Sequence, residues 1–344
     1  MSAPSDKSQP PQPLQPPQPL QRPQPLIGIS LGDPAGIGPE IVVKALAARP
    51  DLPVLVYGEP HVLETTAERL GLPGPARERV HAVSTPASRE IVPGRPNLAS
   101  ARAQLEALQA ATDAALAGRI AGLCTAPISK DWIARVGFDF PGHTEYLAHR
   151  AGVTEFAMML AGPRLRTVLA TTHVALRDVP RVLTAADVTR AAVLAARALL
   201  NDFGIGRPRI AVAGLNPHAG EAGRFGDEES TVVTPAIRAA RRVLEREQNP
   251  AHLSGPFPPD AVFRQAALGA FDAVVALYHD QGLIPIKLLH FDEGVNVTLG
   301  LPFVRTSPDH GTAYDIAGTG RANPSSFLTA LDLAANLVGR LAHR

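Results

Sequence analysis

Three histidines stand where apolar runs stop, and three imidazoles brought to one place can bind a metal ion. Ala273-Val274-Val275-Ala276-Leu277 runs into Tyr278-His279-Asp280-Gln281-Gly282, Val168-Leu169-Ala170-Thr171-Thr172 ends in His173, and Ile210-Ala211-Val212-Ala213-Gly214-Leu215-Asn216-Pro217 ends in His218. A buried strand that stops at polar residues delivers them to its carboxyl end, the edge where open α/β sheets hold ligands. Taken alone, a histidine in such a place is more often a hydrogen-bonded structural residue than a ligand. Three at neighbouring strand ends offer three nitrogens to one divalent cation and leave a position open for substrate or water. That pattern suits zinc, cobalt or a similar ion.

Other stretches offer anion contacts. In Phe140-Pro141-Gly142-His143-Thr144-Glu145-Tyr146 a helix opens with Thr144 as a cap and free N–H groups outward, so His143 and Thr144 suit a phosphate or carboxylate. Gly32-Asp33-Pro34-Ala35-Gly36-Ile37-Gly38 is a glycine-rich turn between strand and helix, able to bring backbone N–H groups near an anion, although its spacing is not the dinucleotide fingerprint. The loop Asn216 to Gly226 carries His218, Glu221 and Arg224 among glycines and reads as a ligand-contacting loop. Asp309 to Gly318 reads as a loop able to wrap a nucleotide with backbone groups at Gly311 and Thr312 and to place Asp315 on a ribose hydroxyl. Arg305 has the planar fork that a phosphate monoester fits, whereas Cys124 reads as a core residue.

These residues need a scaffold, and the chain supplies one by alternation. Strands are expected at Leu26–Leu31, Val54–Tyr57, near Val80–Val83 and at Ile120–Cys124, with helices from Pro39, from about His61 to Leu70, and from Leu98 to Leu116. A strand pair, Met158–Leu160 with Val168–Ala170, precedes a helix capped by Thr184 that runs to about Phe203. A helix from about Asp227 to Arg246, a strand at Val295–Leu299 and a terminal helix from Asn323 and Pro324 complete the series. The alternation predicts an α/β fold with a mostly parallel sheet and helices on both faces.

The chain has 344 residues, 45% of them hydrophobic, enough for two domains or one large α/β unit. A formal charge of +1 argues against a nucleic-acid binder, no apolar run is long enough to predict a membrane span, and the N-terminus lacks an apolar signal core. A single cysteine points to a reducing cytoplasm. Residues 1–25 hold nine prolines, with Gln-Pro-Pro-Gln-Pro-Leu repeated from Gln9 and Gln15, and read as a disordered tail that catalysis does not need.

The segments Gly32 to Glu40, Thr125 to Lys130, Gly142 to Glu145, Asn216 to Gly226, Tyr278 to Lys287 and Val295 to Gly318 resemble, in order and spacing, the 4-hydroxythreonine-4-phosphate dehydrogenase family of pyridoxal phosphate biosynthesis. Ala222 stands where that family usually shows glycine. The resemblance extends to isocitrate and isopropylmalate dehydrogenases and implies a two-domain α/β/α sandwich, residues 26–136 with 305–344 forming one domain and 137–304 the other. The active site then lies in the interdomain cleft, near the interface of a homodimer. It implies His173, His218 and His279 as metal ligands and His143, Thr144, Lys287, Asn296 and Arg305 as substrate contacts.

The implied reaction is NAD- or NADP-dependent oxidation of the C3 hydroxyl of 4-phosphooxy-threonine, followed by loss of carbon dioxide, with one zinc, cobalt or magnesium ion per site. Asp280, Asp260 and Lys287 are the candidate proton acceptors. A sister dehydrogenase acting on a phosphorylated threonate or erythronate, or on a cyclic dihydrodiol, keeps the same residues. A phosphate acyltransferase on the related fold needs no histidine-bound metal, and a non-catalytic binding protein needs no turnover.

Overall fold

The structure is a computed structural model that describes residues 26–83 and 88–342. The reading of residues 1–25 as a dispensable tail lies outside them. Among the described residues eleven strands form one sheet: β1 (Ile27–Ser30), β2 (Val54–Gly58), β3 (Val80–Ala82), β4 (Gly122–Thr125), β5 (Ala157–Ala161), β6 (Arg166–Leu169), β7 (Arg209–Ala213), β8 (His252–Phe257), β9 (Ala273–Ala276), β10 (Val295–Leu299) and β11 (Val304–Pro308). Their order is β3-β2-β1-β4-β11-β10-β5-β6-β9-β7-β8. The helices are α1 (Gly38–Ala48), α2 (Pro60–Leu70), α3 (Leu98–Leu116), α4 (Lys130–Ala134), α5 (His143–Arg150), α6 (Val179–Val182), α7 (Ala185–Asn201), α8 (Thr234–Arg246), α9 (Pro259–Ala267), α10 (His279–His290) and α11 (Ser325–Ala342).

Local signals explain the cleanest elements. Asn97 and Ser100 form a reciprocal capping box that starts α3, and Thr184 and Asp187 do the same for α7. Both helices bury alanine-rich faces, so they lie close against the sheet. β1, β4 and β9 are buried along their whole length, as strands covered on both faces must be.

The sheet is mostly parallel, as the alternation predicts, with an antiparallel centre. Two parallel wings, β3-β2-β1-β4-β11 and β6-β9-β7-β8, are joined by three antiparallel pairings, β11 with β10, β10 with β5, and β5 with β6. Two tight connections, Gly162–Leu165 and Gly300–Phe303, turn the chain back on itself and set the β5–β6 and β10–β11 pairings, while β10 meets β5 from far along the chain. β8, β11 and α10 were not anticipated. β11 is fully buried yet reads Val-Arg-Thr-Ser-Pro, and α10 carries Gly282 and Pro285, both unfavourable inside a helix.

Candidate active site

The strand-end argument rests on topology. β6, β9 and β7 are neighbours and mutually parallel, so the chain segments leading to His173, His279 and His218 leave the sheet at one edge. Two of the rings meet: His173 and His279 have centroids 5.6 Å apart, and both line a cleft of about 240 Å³. His279 opens α10, and its Nδ1 bonds Asp280 Oδ1 at 2.7 Å. A carboxylate on one ring nitrogen fixes the tautomer and leaves Nε2 free to ligate.

His218 does not join them. Pro217 carries it past the strand end into an exposed turn where His218, Ala219, Gly220, Glu221 and Ala222 are all left-handed, with φ between 41° and 80°. Its ring faces Phe225, and it is not among the residues lining the cleft. Among the described residues no three His, Cys, Asp or Glu side chains assemble as a metal cage. The donor chemistry of the pair fits a divalent ion, and among the described residues the pair is not joined by a third imidazole.

The opposite wall is built from strands. Arg305, on β11, is 2% exposed; Nη1 donates to Thr298 Oγ1 at 3.0 Å and Nη2 to Thr125 Oγ1 at 2.8 Å, while Nε has no partner. Burial pulls its pKa down to about 10, with Cys124 and Glu145 opposing. No carboxylate of a described residue is paired with it. A buried cation with neutral partners is costly until an anion arrives.

Two more buried atoms in the same cleft lack partners, His143 Nε2 and Asn296 Oδ1. Burial, then the charges of Arg305 and Lys130, holds the His143 imidazole well below the ordinary histidine range, so it is neutral. Contrary to the sequence expectation, Thr144 does not cap α5, because Gly142 takes the N-cap position; its hydroxyl lies 3.4 Å from that of Thr298. Three unsatisfied polar atoms around one space, Arg305 Nε among them, fit a polar ligand that both accepts and donates hydrogen bonds.

The three proposed proton acceptors differ in placement. Asp280 is exposed and bonded to His279, and Lys287 pairs with Asp309 Oδ2 at 2.8 Å, at the cleft margin. Asp260 lies in the first turn of α9, and none of the three is among the residues lining the cleft. In the 309–318 loop, Gly311 lines the cleft, Thr312 packs on Gly36, and Asp315 is exposed. The glycine-rich turn does not offer its amides to an anion, since the N–H groups of Asp33, Ala35, Gly36 and Ile37 are all engaged within the protein.

Sequence reasoning missed Lys130 and Glu145 as cleft residues. Lys130 opens α4 just beyond β4, so the strand-end rule applied to histidines would also have found it. A larger cavity of about 520 Å³, against β3, holds none of the residues discussed above.

This arrangement has close relatives. The family described as pyridoxal phosphate biosynthetic protein PdxA matches residues 51–334. A curated relative from Desulfosudis oleivorans, named 4-hydroxythreonine-4-phosphate dehydrogenase, is 48% identical over 93% of this chain and 98% of its own length. Among solved structures, the Klebsiella pneumoniae 4-hydroxythreonine-4-phosphate dehydrogenase superposes with a TM-score of 0.82 at 40% identity, covering 91% of this chain and 99% of that one. A terephthalate 1,2-cis-dihydrodiol dehydrogenase from Burkholderia xenovorans reaches 0.65 at 31% identity, with 91% and 98% covered. The chain belongs to the pyridoxal phosphate biosynthetic protein PdxA family and, with it, to the dehydrogenases of pyridoxal phosphate biosynthesis.

Proposed function

We propose that this chain oxidises 4-phosphooxy-L-threonine at C3 with NAD or NADP, yielding 3-amino-2-oxopropyl phosphate after decarboxylation. The observation that carries the reading is the buried Arg305, in no ion pair among the described residues, beside the unpartnered His143 and Asn296 atoms, a setting that favours a phosphate monoester. Arg305 grips the phosphate, neutral His143 donates a hydrogen bond to it, and Thr144 and Asn296 fix its orientation. Lys287, held by Asp309 at the cleft margin, reaches a second polar group of the substrate.

His173 and His279 hold a divalent ion (zinc, cobalt or magnesium) which, when bound, polarises the C3 hydroxyl and makes its proton easier to lose. Asp280 orients His279, and Asp280, Lys287 and Asp260 are the candidate proton acceptors. Gly311, Thr312 and Asp315 would hold NAD or NADP, which would supply the hydride acceptor.

The third metal ligand is His218 of a second subunit, so the working enzyme is a homodimer. Two features support this: His218 sits on an exposed turn away from the pair, and Ile284, Leu288 and Phe291 form an exposed apolar stripe along the helix that His279 opens. One lobe then comprises residues 26–136 with 305–344 and the other 137–304, both contributing to the cleft, in a cytoplasmic enzyme.

The reaction is tested by following absorbance of the reduced nicotinamide with 4-phosphooxy-threonine, phospho-threonate, phospho-erythronate and a cyclic dihydrodiol as competing substrates. Preference for 4-phosphooxy-threonine in kcat/KM supports the reading. Turnover only of a dihydrodiol, the substrate class named for one structural relative, would overturn it.

A further inference from the structure

The glycine-rich turn and the 309–318 loop are joined by a buried network for which the proposed reaction has no use. The Tyr314 hydroxyl donates to Asp33 Oδ2 at 2.5 Å, Gln104 Nε2 donates to the same oxygen at 3.2 Å, and the Ala35 N–H donates to Oδ1 at 2.8 Å. Asp33 is 0% exposed, and every group acting on it is a neutral donor, so burial raises its pKa. Gln104 Oε1 in turn accepts the Ser129 N–H at 2.9 Å, and Ser129 precedes Lys130 at the start of α4.

Backbone contacts run beside these side chains. The Ile37 N–H donates to Thr312 O at 2.9 Å, and a Cβ added to Gly36 would lie 2.9 Å from that oxygen, so only glycine permits the approach. The loop itself has no regular structure from 309 to 313, and Gly311 and Asp315 are exposed. Such a segment samples many shapes unless something holds it, and ordering it on binding weakens affinity. A buried carboxyl without a cation is an expensive way to pack a core, but it holds a hydroxyl in one direction.

We propose that Asp33 and Tyr314 are positioning residues that latch the 309–318 loop into its nucleotide-holding shape. The inference rests on the reading of Gly311, Thr312 and Asp315 as nucleotide contacts. Tyr314 touches neither substrate nor nucleotide and acts through the loop. Its loss therefore weakens the nucleotide selectively.

The test uses full-length Tyr314→Phe, Asp33→Asn and Asp315→Ala proteins. Reduced nicotinamide nucleotide is titrated by fluorescence without substrate, and both Michaelis constants are then measured. Tyr314→Phe is expected to weaken nucleotide binding about tenfold, the equivalent of one lost charge-assisted hydrogen bond. The KM for phosphorylated substrate and kcat at saturating nucleotide should stay within about threefold, a split that a general loss of structure does not give. Asp315→Ala should also weaken the nucleotide.

Unchanged nucleotide affinity in Tyr314→Phe with weakened affinity in Asp315→Ala overturns the latch and leaves the loop assignment standing. Unchanged affinity in both overturns the loop assignment and the latch together. Equal losses for nucleotide and phosphorylated substrate also overturn the latch, as the mark of a purely structural pair. Should Tyr314→Phe fail to fold, Asp33→Asn keeps the volume and an acceptor; it should lose nucleotide affinity severalfold, and no loss overturns the proposal.

Discussion

The two walls of the cleft are made by different means. Arg305, Thr125, Thr298 and Asn296 stand on β11, β4 and β10 in the middle of the sheet, and one chain places all of them. The histidines stand on segments that follow β6, β9 and β7; only His173 and His279 meet, while His218 sits on a strained, exposed turn. A phosphate carries charge that must be met by a preformed donor set, so rigid strands suit it. A metal ion can draw ligands from more than one element, so the histidine wall can await association. On the proposed reading, the anion side is built within one chain and the metal side is completed by a second.

The sharpest way to break this contrast is subunit mixing. His218→Ala and His279→Ala homodimers should each lose turnover by about a thousandfold, together with most bound metal, as several kcal/mol of Lewis-acid assistance disappear. Coexpressed, they should recover about a quarter of wild-type activity, because half the dimers are mixed and each mixed dimer keeps one intact shared site. No recovery would place all three ligands in one chain.

Arg305→Lys sharpens the other side. It should raise the KM for phosphorylated substrate by about one to two orders of magnitude, because a point charge cannot replace a bidentate fork. Nucleotide affinity, read by fluorescence, should hold.

A smaller effect concerns pH. Burial, then Arg305 and Lys130, depresses the His143 pKa well below the ordinary 6.5. Below pH 6.5 the unfolded chain takes up a proton that the folded chain refuses, so stability falls as pH drops from 6.5 toward the folded value, by at most about 1.4 kcal/mol per unit. Denaturant unfolding of His143→Asn should show a shallower decline over that window, and parallel slopes would refute the assignment.

The smallest effect lies on the histidine wall. Ala222 has φ 56°, and Ala222→Gly should stabilise the protein by about 0.5–1 kcal/mol by relieving the left-handed backbone. A fall in the urea midpoint would mean the turn is not left-handed there.

What could be read from sequence followed the range of each signal. α3 and α7 carry their own caps within a few residues, so their starts were legible. The shared edge of His173, His218 and His279 was legible too, since each follows a β-rich apolar run and parallel strands align their ends. β11 was not, because Val-Arg-Thr-Ser-Pro looks like a loop until Thr125 and Thr298 satisfy its arginine. Nor was the exclusion of His218, which depends on five successive left-handed residues, only one of them the glycine that announces such a turn.

Thermal unfolding of wild type and Arg305→Met, each with and without inorganic phosphate, tests the central claim most directly. Arg305 is a buried cation with no paired carboxylate among the described residues, so replacing it with an apolar side chain should leave the melting temperature equal or higher. Phosphate should raise the wild-type melting temperature and leave that of the variant unmoved. A variant that melts well below wild type yet keeps the phosphate shift would contradict the account, making Arg305 a structural post and placing the anion elsewhere.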